Sequence, residues 1–324
     1  EFTTGNPELR RQIALHSADW QGKLTAEDII ITAGGTESLN LSLRAVARPG
    51  DTIAVESPSY FGVLQIIEGL GMKALHIPTD PRDGICLEGF EKACRDFPIR
   101  ACLVMPNVHN PLGSIMPDSA KQHLVSIAER YRIPLIEDDI YGDLCFSSER
   151  PRTLKTFDTT GNVLLCSSFS KTISPAFRIG WTAPGIWYEK VVRLKMTTTL
   201  ASPTLLQLAI ASFLRDGGYD HHLRSMRKAY SQQIDRYSQA IAEFFPDGTK
   251  VTRPEGGFVL WVQLPEKVDA LLLQRQALER HISIAPGPIF SARNDYTSCV
   301  RINCGYTWSA TLENALRTIG SLAS

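Results

Sequence analysis

A lysine in the segment 167–181 is placed to act as a reactive amine. Lys171 follows Ser168 and Ser170 directly after an apolar run, and Arg178 lies seven residues further along the chain. A lysine at a strand end, in a pocket that also holds a cation, can have a lowered pKa and form an imine with a carbonyl compound. Ser168 and Arg178 are suited to a phosphate, because a guanidinium offers two parallel N–H donors. The alternative is a solvated loop lysine beside an ordinary surface arginine.

A second apolar run ends in three adjacent acidic residues. Glu137, Asp138 and Asp139 close this run, and Tyr141 follows two residues later. Ionised carboxylates resist burial without partners, so these three residues are not simple core residues. They are candidates for a functional site, and a solvated loop is the alternative.

Two more polar segments follow apolar runs. Asn110-Pro111-Leu112-Gly113 comes after one run, although its Asn-Pro and Gly content also fits a plain turn. Gly35 and Thr36 open a helical pattern after another run. A helix start presents free backbone N–H groups and a positive dipole end to an anion, although the same residues also fit an ordinary helix start.

The chain from residue 29 to about residue 182 alternates short apolar runs with helix-length amphipathic stretches. This pattern predicts an α/β fold with a mostly parallel sheet that is covered on both faces. The predicted strands are 29–31, 52–56, 74–77, 101–105, 134–137 and 163–167, and the predicted helices are 36–47, 61–70, 87–96 and 118–131. Ligand sites in such sheets lie at the carboxyl ends of the strands, where the four polar segments fall.

The pattern changes after residue 203 and predicts a smaller α+β domain. Helical patterns at 205–215 and 221–245 precede strand-like segments at 257–264 and 299–303, with helices at 268–281 and from residue 310. We expect segment 1–24 to associate with the small domain and 25–203 to form the large domain. We expect 204–324 to contain interdomain helices and the small domain.

Composition excludes several classes of protein. Lys plus Arg and Asp plus Glu both total 34, so the basic excess of a nucleic-acid or polybasic membrane surface is missing. No apolar run reaches the length of a membrane span. The seven cysteines include no Cys-x-x-Cys pair, which argues against a metal site and favours a reducing, cytoplasmic compartment. The chain opens at Glu1 without an initiator Met, which leaves open that it is a fragment.

Taken together, these motifs resemble those of fold-type I pyridoxal-phosphate enzymes of the class I/II aminotransferase group. The matching motifs are Asn110-Pro111-x-Gly113, Asp138-x-x-Tyr141, and Ser168-x-Ser170-Lys171 followed by Arg178-x-Gly180. The resemblance runs from about Gly5 to Arg301. It implies the pyridoxal-phosphate-dependent transferase fold, with pyridoxal 5′-phosphate bound to the large domain.

The resemblance also assigns roles to the residues at the cofactor ring. Lys171 would form the internal aldimine with the cofactor aldehyde and later move a proton. Asp138 would pair with the pyridine nitrogen, and the three-residue step to Tyr141 favours it over Asp139. Tyr141 and Asn110 would hydrogen-bond the phenolic oxygen of the ring. Tyr60 would stack on the ring; a half-buried aromatic at a strand end is the alternative.

The remaining roles concern the phosphate and the substrate. Arg301 lies in an apolar strand and needs a carboxylate partner. The resemblance supplies the substrate α-carboxylate, with Asn110 nearby, and an internal salt bridge is the alternative. The phosphate would be held by four residues, Gly35, Thr36, Ser168 and Arg178, and Ser170 would also belong to the cofactor-binding residues.

Two functions from different classes fit this resemblance. One is an aminotransferase that moves an amino group between an L-amino acid and a 2-oxo acid. The other is a cofactor-binding sensor domain, because segments 5–13 and 107–113 also resemble MocR-type regulators of the GntR group. Those regulators carry a winged helix-turn-helix that this sequence lacks, so we expect no nucleic acid to bind this fragment itself. A decarboxylase or lyase would use the same residues, and in each case the resemblance implies a homodimer.

Overall fold

The structure, a computed structural model, describes residues 3–324. The helices are α1 (Pro7–His16), α2 (Gly35–Val46), α3 (Phe61–Gly69), α4 (Leu87–Asp96), α5 (Asp118–Tyr131), α6 (Tyr188–Met196), α7 (Thr204–Arg215), α8 (Gly218–Phe244), α9 (Ala270–Leu278) and α10 (Ala310–Leu322). The strands are β1 (Ile30–Thr32), β2 (Thr52–Ser57), β3 (Lys73–Asp80), β4 (Gly84–Ile85), β5 (Ile99–Val104), β6 (Leu135–Asp138), β7 (Val163–Ser168), β8 (Gly180–Ala183), β9 (Lys250–Val251), β10 (Val259–Gln263), β11 (Ala285–Pro286) and β12 (Cys299–Asn303). Within the described range, every helix is too short or too polar to cross a membrane.

The large sheet has eight strands in the order β1-β8-β7-β6-β5-β2-β3-β4. Strands β7, β6, β5, β2 and β3 pair in parallel, whereas β8 runs antiparallel to both of its neighbours and β4 runs antiparallel to β3. The inner strands are buried along most of their length, as expected for a sheet with helices on both faces. The predicted mostly parallel α/β fold is confirmed.

Strand direction brings the polar segments to one edge of this sheet. The carboxyl ends of parallel β2, β5, β6 and β7 lie on the same side, so the segments after them meet there. Because β8 is antiparallel, its first residue, Gly180, lies at that edge too, opposite Ser168 and Thr32. Arg178, two residues earlier, is thereby placed beside the start of α2.

The small sheet has the order β11-β12-β10-β9 and is antiparallel throughout. Its core consists of apolar side chains from β10, β12, α8, α9 and α10, with Val251 of β9 packed against them. Strand β12 lies between β10 and β11, so Arg301 pairs with Trp261 on one side and Ala285 on the other. The arginine is therefore held by backbone pairing on both sides.

Helix α1 packs on the large sheet and on α7. Leu9 and Ile13 share one core cluster with residues of β1, β7, β8 and α7. The association of segment 1–24 with the small domain stays a prediction. The first two residues of that segment lie outside the described residues. The bounds of the other two parts, 25–203 and 204–324, stay a prediction.

We predict that Gly180→Ala lowers the free energy of unfolding by about 1–3 kcal/mol, because an added methyl group would be overpacked. A Cβ at Gly180 would lie 2.6 Å from the carbonyl carbon of Gly34 and 2.8 Å from the carbonyl oxygen of Ser167. The matched control is Gly69→Ala, whose Cβ meets nothing within 4 Å. We expect this change to raise the free energy of unfolding by about 0.4–1 kcal/mol, because alanine lowers the conformational entropy of the unfolded chain. Urea unfolding measures both, and equal stability of the two variants would contradict the packing account.

Candidate active site

Asp138, the last residue of β6, carries a fully buried carboxylate that lacks a partner. It has 0% exposure, and neither oxygen has a hydrogen-bond partner of good geometry within residues 3–324. Burial and then repulsion from Asp139 raise the pKa of Asp138 to about 7, and the nearby backbone N–H of Ile140 offsets part of this rise. A buried anion without a cationic partner is unfavourable, so this position fits a cationic N–H group from outside the chain.

The neighbouring carboxylate of Asp139 is fully paired instead. The Arg150 guanidinium donates to one of its oxygens, and Asn107 Nδ2 donates to the other at 2.9 Å. Arg150 is itself buried and also pairs with Asp143. Of the two aspartates, Asp138 is therefore the one that is open to a ligand. The sequence analysis missed Arg150, since no spacing rule links it to Asp139.

Lys171 lies in the turn after β7 and faces the same site. Its Nζ is 5.9 Å from the centroid of the Tyr141 ring. Burial lowers the pKa of Lys171, and the cations of Arg301 and Arg178 lower it further, whereas the Asp138 carboxylate acts in the opposite direction. A lowered pKa leaves a larger fraction of the lysine unprotonated near neutral pH, and only the unprotonated amine can act as a nucleophile or accept a proton.

Arg301 joins the small domain to the large one at this site. Its Nη1 donates to Asn110 Oδ1 at 3.0 Å, while its buried Nε has no partner within the described residues. Its guanidinium carbon lies 5.3 Å from the Phe290 ring centroid and 5.9 Å from that of Phe61. Within residues 3–324 no acidic side chain forms an ion pair with Arg301, so it is open to a carboxylate from outside the chain.

The predicted phosphate residues gather around the start of α2. Gly34 precedes the helix at φ +103°, and a Cβ there would lie 2.8 Å from Nη2 of Arg178. The first backbone N–H groups of the helix, those of Gly35 and Thr36, have no intrahelical acceptor. Arg178 Nη2 donates to Ala33 O at 3.0 Å, which holds the guanidinium beside these groups. The helix start and the arginine together present several donors to an anion.

Ser168 and Ser170 lie on the β7 side of this helix start. The Ser168 hydroxyl accepts from the Ser170 backbone N–H at 3.1 Å and donates to the Ser170 hydroxyl at 2.9 Å. A Cβ at Gly35 would lie 3.5 Å from Cβ of Ser168, so the two segments are neighbours. The structure therefore brings both serines close to the helix start.

Aromatic rings line the rest of the site. Tyr60 precedes α3, and burial followed by the Asp138 charge raises the pKa of Tyr60. Burial likewise raises the pKa of Tyr141, whose ring lies 5.6 Å from that of Phe258. Phe258 in turn lies 5.0 Å from Tyr230 on α8. The sequence analysis assigned no role to Phe258 or Tyr230, because the pattern around a single aromatic residue predicts only a core position.

The family Aminotransferase class I and II has a sequence profile that matches residues 2–319. The chain belongs to this family. It is 44% identical over 320 residues to the uncharacterized HTH-type transcriptional regulator YjiR of Escherichia coli (strain K12), over 99% of this chain and 68% of the regulator. It is 30% identical over 305 residues to aromatic-amino-acid aminotransferase 1 of Thermococcus litoralis, over 91% of this chain and 73% of that enzyme. The crystal structure of Pyrococcus horikoshii kynurenine aminotransferase in complex with PMP superposes with a TM-score of 0.92 at 28% identity, covering 100% and 81% of the two chains.

As a class I and II aminotransferase, the chain depends on pyridoxal phosphate. The residues present fit this cofactor on structural grounds. The partnerless Asp138 carboxylate matches a protonated pyridine nitrogen, and the donors around Gly35 and Arg178 match a phosphate. Lys171 offers the amine that an aldehyde requires.

We predict opposite stability effects for the two neighbouring aspartates in the cofactor-free protein. The folded-state pKa of Asp138, about 7, lies above the value near 3.8 of an unperturbed carboxyl group. Its ionisation therefore opposes folding, and stability is lost as the pH rises through this window. Asp138→Asn removes this loss and stabilises the chain by about 1–4 kcal/mol at about pH 8.

The matched variant Asp139→Asn weakens the pair with Arg150 and destabilises the chain by about 3 kcal/mol. Urea unfolding of the wild type and both variants at about pH 5 and about pH 8 measures these differences. A stability difference between Asp138→Asn and wild type that does not change with pH would contradict the account.

Proposed function

We propose that the chain transfers an amino group between an L-amino acid and a 2-oxo acid, using bound pyridoxal phosphate. The observation that carries this proposal is the partnerless, fully buried carboxylate of Asp138, which interacts electrostatically with Lys171. The positive charge of Arg301, on β12, in turn lowers the pKa of Lys171. An anion, an amine and a carboxylate-binding cation thus share one site, which is the set that amino-group transfer on this cofactor needs.

Four residues would hold the cofactor ring in this proposal. Asp138 would keep the pyridine nitrogen protonated, and Tyr60 would cover one face of the ring. Tyr141 and Asn110 would donate hydrogen bonds to the phenolic oxygen. When bound, the cofactor supplies a ring that accepts the electron pair released at the substrate Cα. The ring can do so only while its nitrogen keeps the proton, which depends on Asp138.

The phosphate would be bound by backbone and side-chain donors around the start of α2. Gly35 and Thr36 would donate backbone N–H groups, and Arg178 would add charge-assisted hydrogen bonds. The hydroxyls of Ser168 and Ser170 would complete the set. Because these donors lie on fixed elements, they would also fix the direction of the ring.

Lys171 and Arg301 would act on the substrate itself. Arg301 would bind the α-carboxylate, since its Nε is buried without a partner and its Nη1 is held by Asn110. Lys171 Nζ would take the proton from the substrate Cα and pass it to the C4′ carbon of the cofactor, a task that its lowered pKa favours. The homodimer and the cytoplasmic location belong to this proposal as well, and light scattering tests the first of them.

An absorbance titration of the cofactor-loaded protein with a panel of L-amino acids tests the proposed function. We expect at least one amino acid to convert the cofactor to its pyridoxamine form, with one equivalent of 2-oxo acid released. Lys171→Ala lowers this rate by about 10³-fold or more, because the proton acceptor is removed. The matched control Lys92→Ala changes an exposed lysine of α4 and leaves the rate unchanged. Full turnover by Lys171→Ala would refute the assignment, and product analysis would reveal a decarboxylase or lyase.

We predict that Arg301→Gln raises KM for both the amino acid and the 2-oxo acid by about 10- to 100-fold, the size expected for a lost charged contact. The ionised carboxylate is common to both substrates, so both constants rise together. Steady-state kinetics of the two half-reactions measures the effect. Arg317→Gln, a change at an exposed position of α10, is the control. A rise for only one of the two substrates would argue against a shared carboxylate site.

A second candidate function is an amino-acid sensor within a transcription regulator. The observation that favours it is the 44% identity to YjiR, of which this chain spans 68%. In that case amino acids bind at the same residues and shift the absorbance band of the cofactor without releasing a 2-oxo acid. The titration above therefore separates the two candidates.

A further inference from the structure

A buried pair of side chains that the proposed function does not use lies beside the site. Glu56 is near the carboxyl end of β2, and His109 lies in the loop after β5. The residues are 4% and 2% exposed, and His109 Nε2 is 3.4 Å from Glu56 Oε2. Burial of a carboxylate and an imidazole costs free energy, so their placement calls for an explanation.

The hydrogen bonds around this pair fix its proton. Leu112 donates its backbone N–H to His109 Nδ1 at 3.3 Å, so the ring proton is on Nε2, the atom that faces Glu56. The same oxygen of Glu56 accepts the backbone N–H of Met105 at 2.7 Å. One carboxylate on β2 therefore accepts a hydrogen bond from Met105 and also lies 3.4 Å from His109 Nε2, so it contacts the β5 loop at two residues.

Asn110 is at the tip of the loop that these contacts hold. His109 N donates to Ser114 O at 2.9 Å, and Met116 N donates to Pro106 O at 2.8 Å, which closes the loop on itself. Asn110 Oδ1 in turn accepts from Arg301 at 3.0 Å. The position of the Asn110 amide therefore depends on where the closed loop is anchored to the sheet.

We propose that Glu56 and His109 are positioning residues, which place the Asn110 amide so that it can donate to the phenolic oxygen of the cofactor. This inference rests on the proposed function. Neither residue touches substrate or cofactor; both act through the loop. A donor to the phenolic oxygen stabilises its ionised form, so loss of this donor raises the pH midpoint of the absorbance change of the bound cofactor.

Substitutions of His109 test the inference better than those of Glu56. The Glu56 charge also contributes to the raised pKa of Asp138, so a change there would alter two properties at once. His109→Asn keeps an acceptor for Leu112 but lacks the donor that faces Glu56. His109→Gln places an amide N–H near the former Nε2 and keeps that donor. The two variants thus differ in the contact to β2.

The experiment is a spectrophotometric pH titration of the cofactor-loaded protein without substrate. It compares wild type, Asn110→Ala, His109→Asn, His109→Gln and the double variant His109→Asn/Asn110→Ala. We expect Asn110→Ala and His109→Asn each to raise the midpoint, by about one pH unit for Asn110→Ala, while His109→Gln stays near wild type. The double variant shifts no further than Asn110→Ala, because His109 acts through Asn110.

Several results would overturn this inference. Additive shifts in the double variant, or equal shifts for His109→Asn and His109→Gln, would show that His109 acts by general packing. An unchanged midpoint in His109→Asn, with Asn110→Ala shifted, would overturn the positioning role and leave the proposed function intact. A wild-type protein without a cofactor band would refute the proposed function and the inference together.

Discussion

The buried carboxylate of Asp138 is the constraint on which the rest of the site depends. Folding disfavours an anion at 0% exposure that has no cationic partner, and burial and the charge of Asp139 accordingly raise the pKa of Asp138 to about 7. The chain keeps the group at the end of a central strand, where Asp138 pairs with Cys166 of β7 and the preceding Glu137 pairs with Val104 of β5. A cationic nitrogen from pyridoxal phosphate would pair with the Asp138 carboxylate and so stabilise the complex. The neighbouring Asp139 is paired with Arg150 and so would not bind that nitrogen.

Two features of the fold bring the remaining groups to this carboxylate. The antiparallel strand β8 places Arg178 at the carboxyl edge of otherwise parallel strands, beside the donors that open α2. The small domain contributes Arg301 from a central strand, and the hydrogen bond to Asn110 joins it to the large domain. Asp138 and Arg301 lie on strands, and Arg178 and Asn110 are held by hydrogen bonds, so the site is largely formed before any ligand binds.

The sequence predicts the large sheet and places the candidate site residues after its strands, because both depend on local signals. Apolar runs mark the strands, and polar residues such as Asp138 and Lys171 follow them directly. What the sequence does not reveal depends on contacts between distant segments. Asp138 and Asp139 are distinguished by Arg150, and the packing of the N-terminal helix depends on which apolar surface it covers. The contact between Glu56 and His109 likewise joins β2 to the loop after β5, and no local sequence pattern predicts it.

The central claim is that Asp138, and not Asp139, holds the pyridine nitrogen in its protonated form. Nitrogen-15 NMR of protein loaded with ring-labelled cofactor measures this proton directly. The account predicts a protonated nitrogen at about pH 8 in the wild type and in Asp139→Asn, and an unprotonated one in Asp138→Asn. A nitrogen that stays protonated in Asp138→Asn, or loses its proton in a folded Asp139→Asn variant, would contradict it.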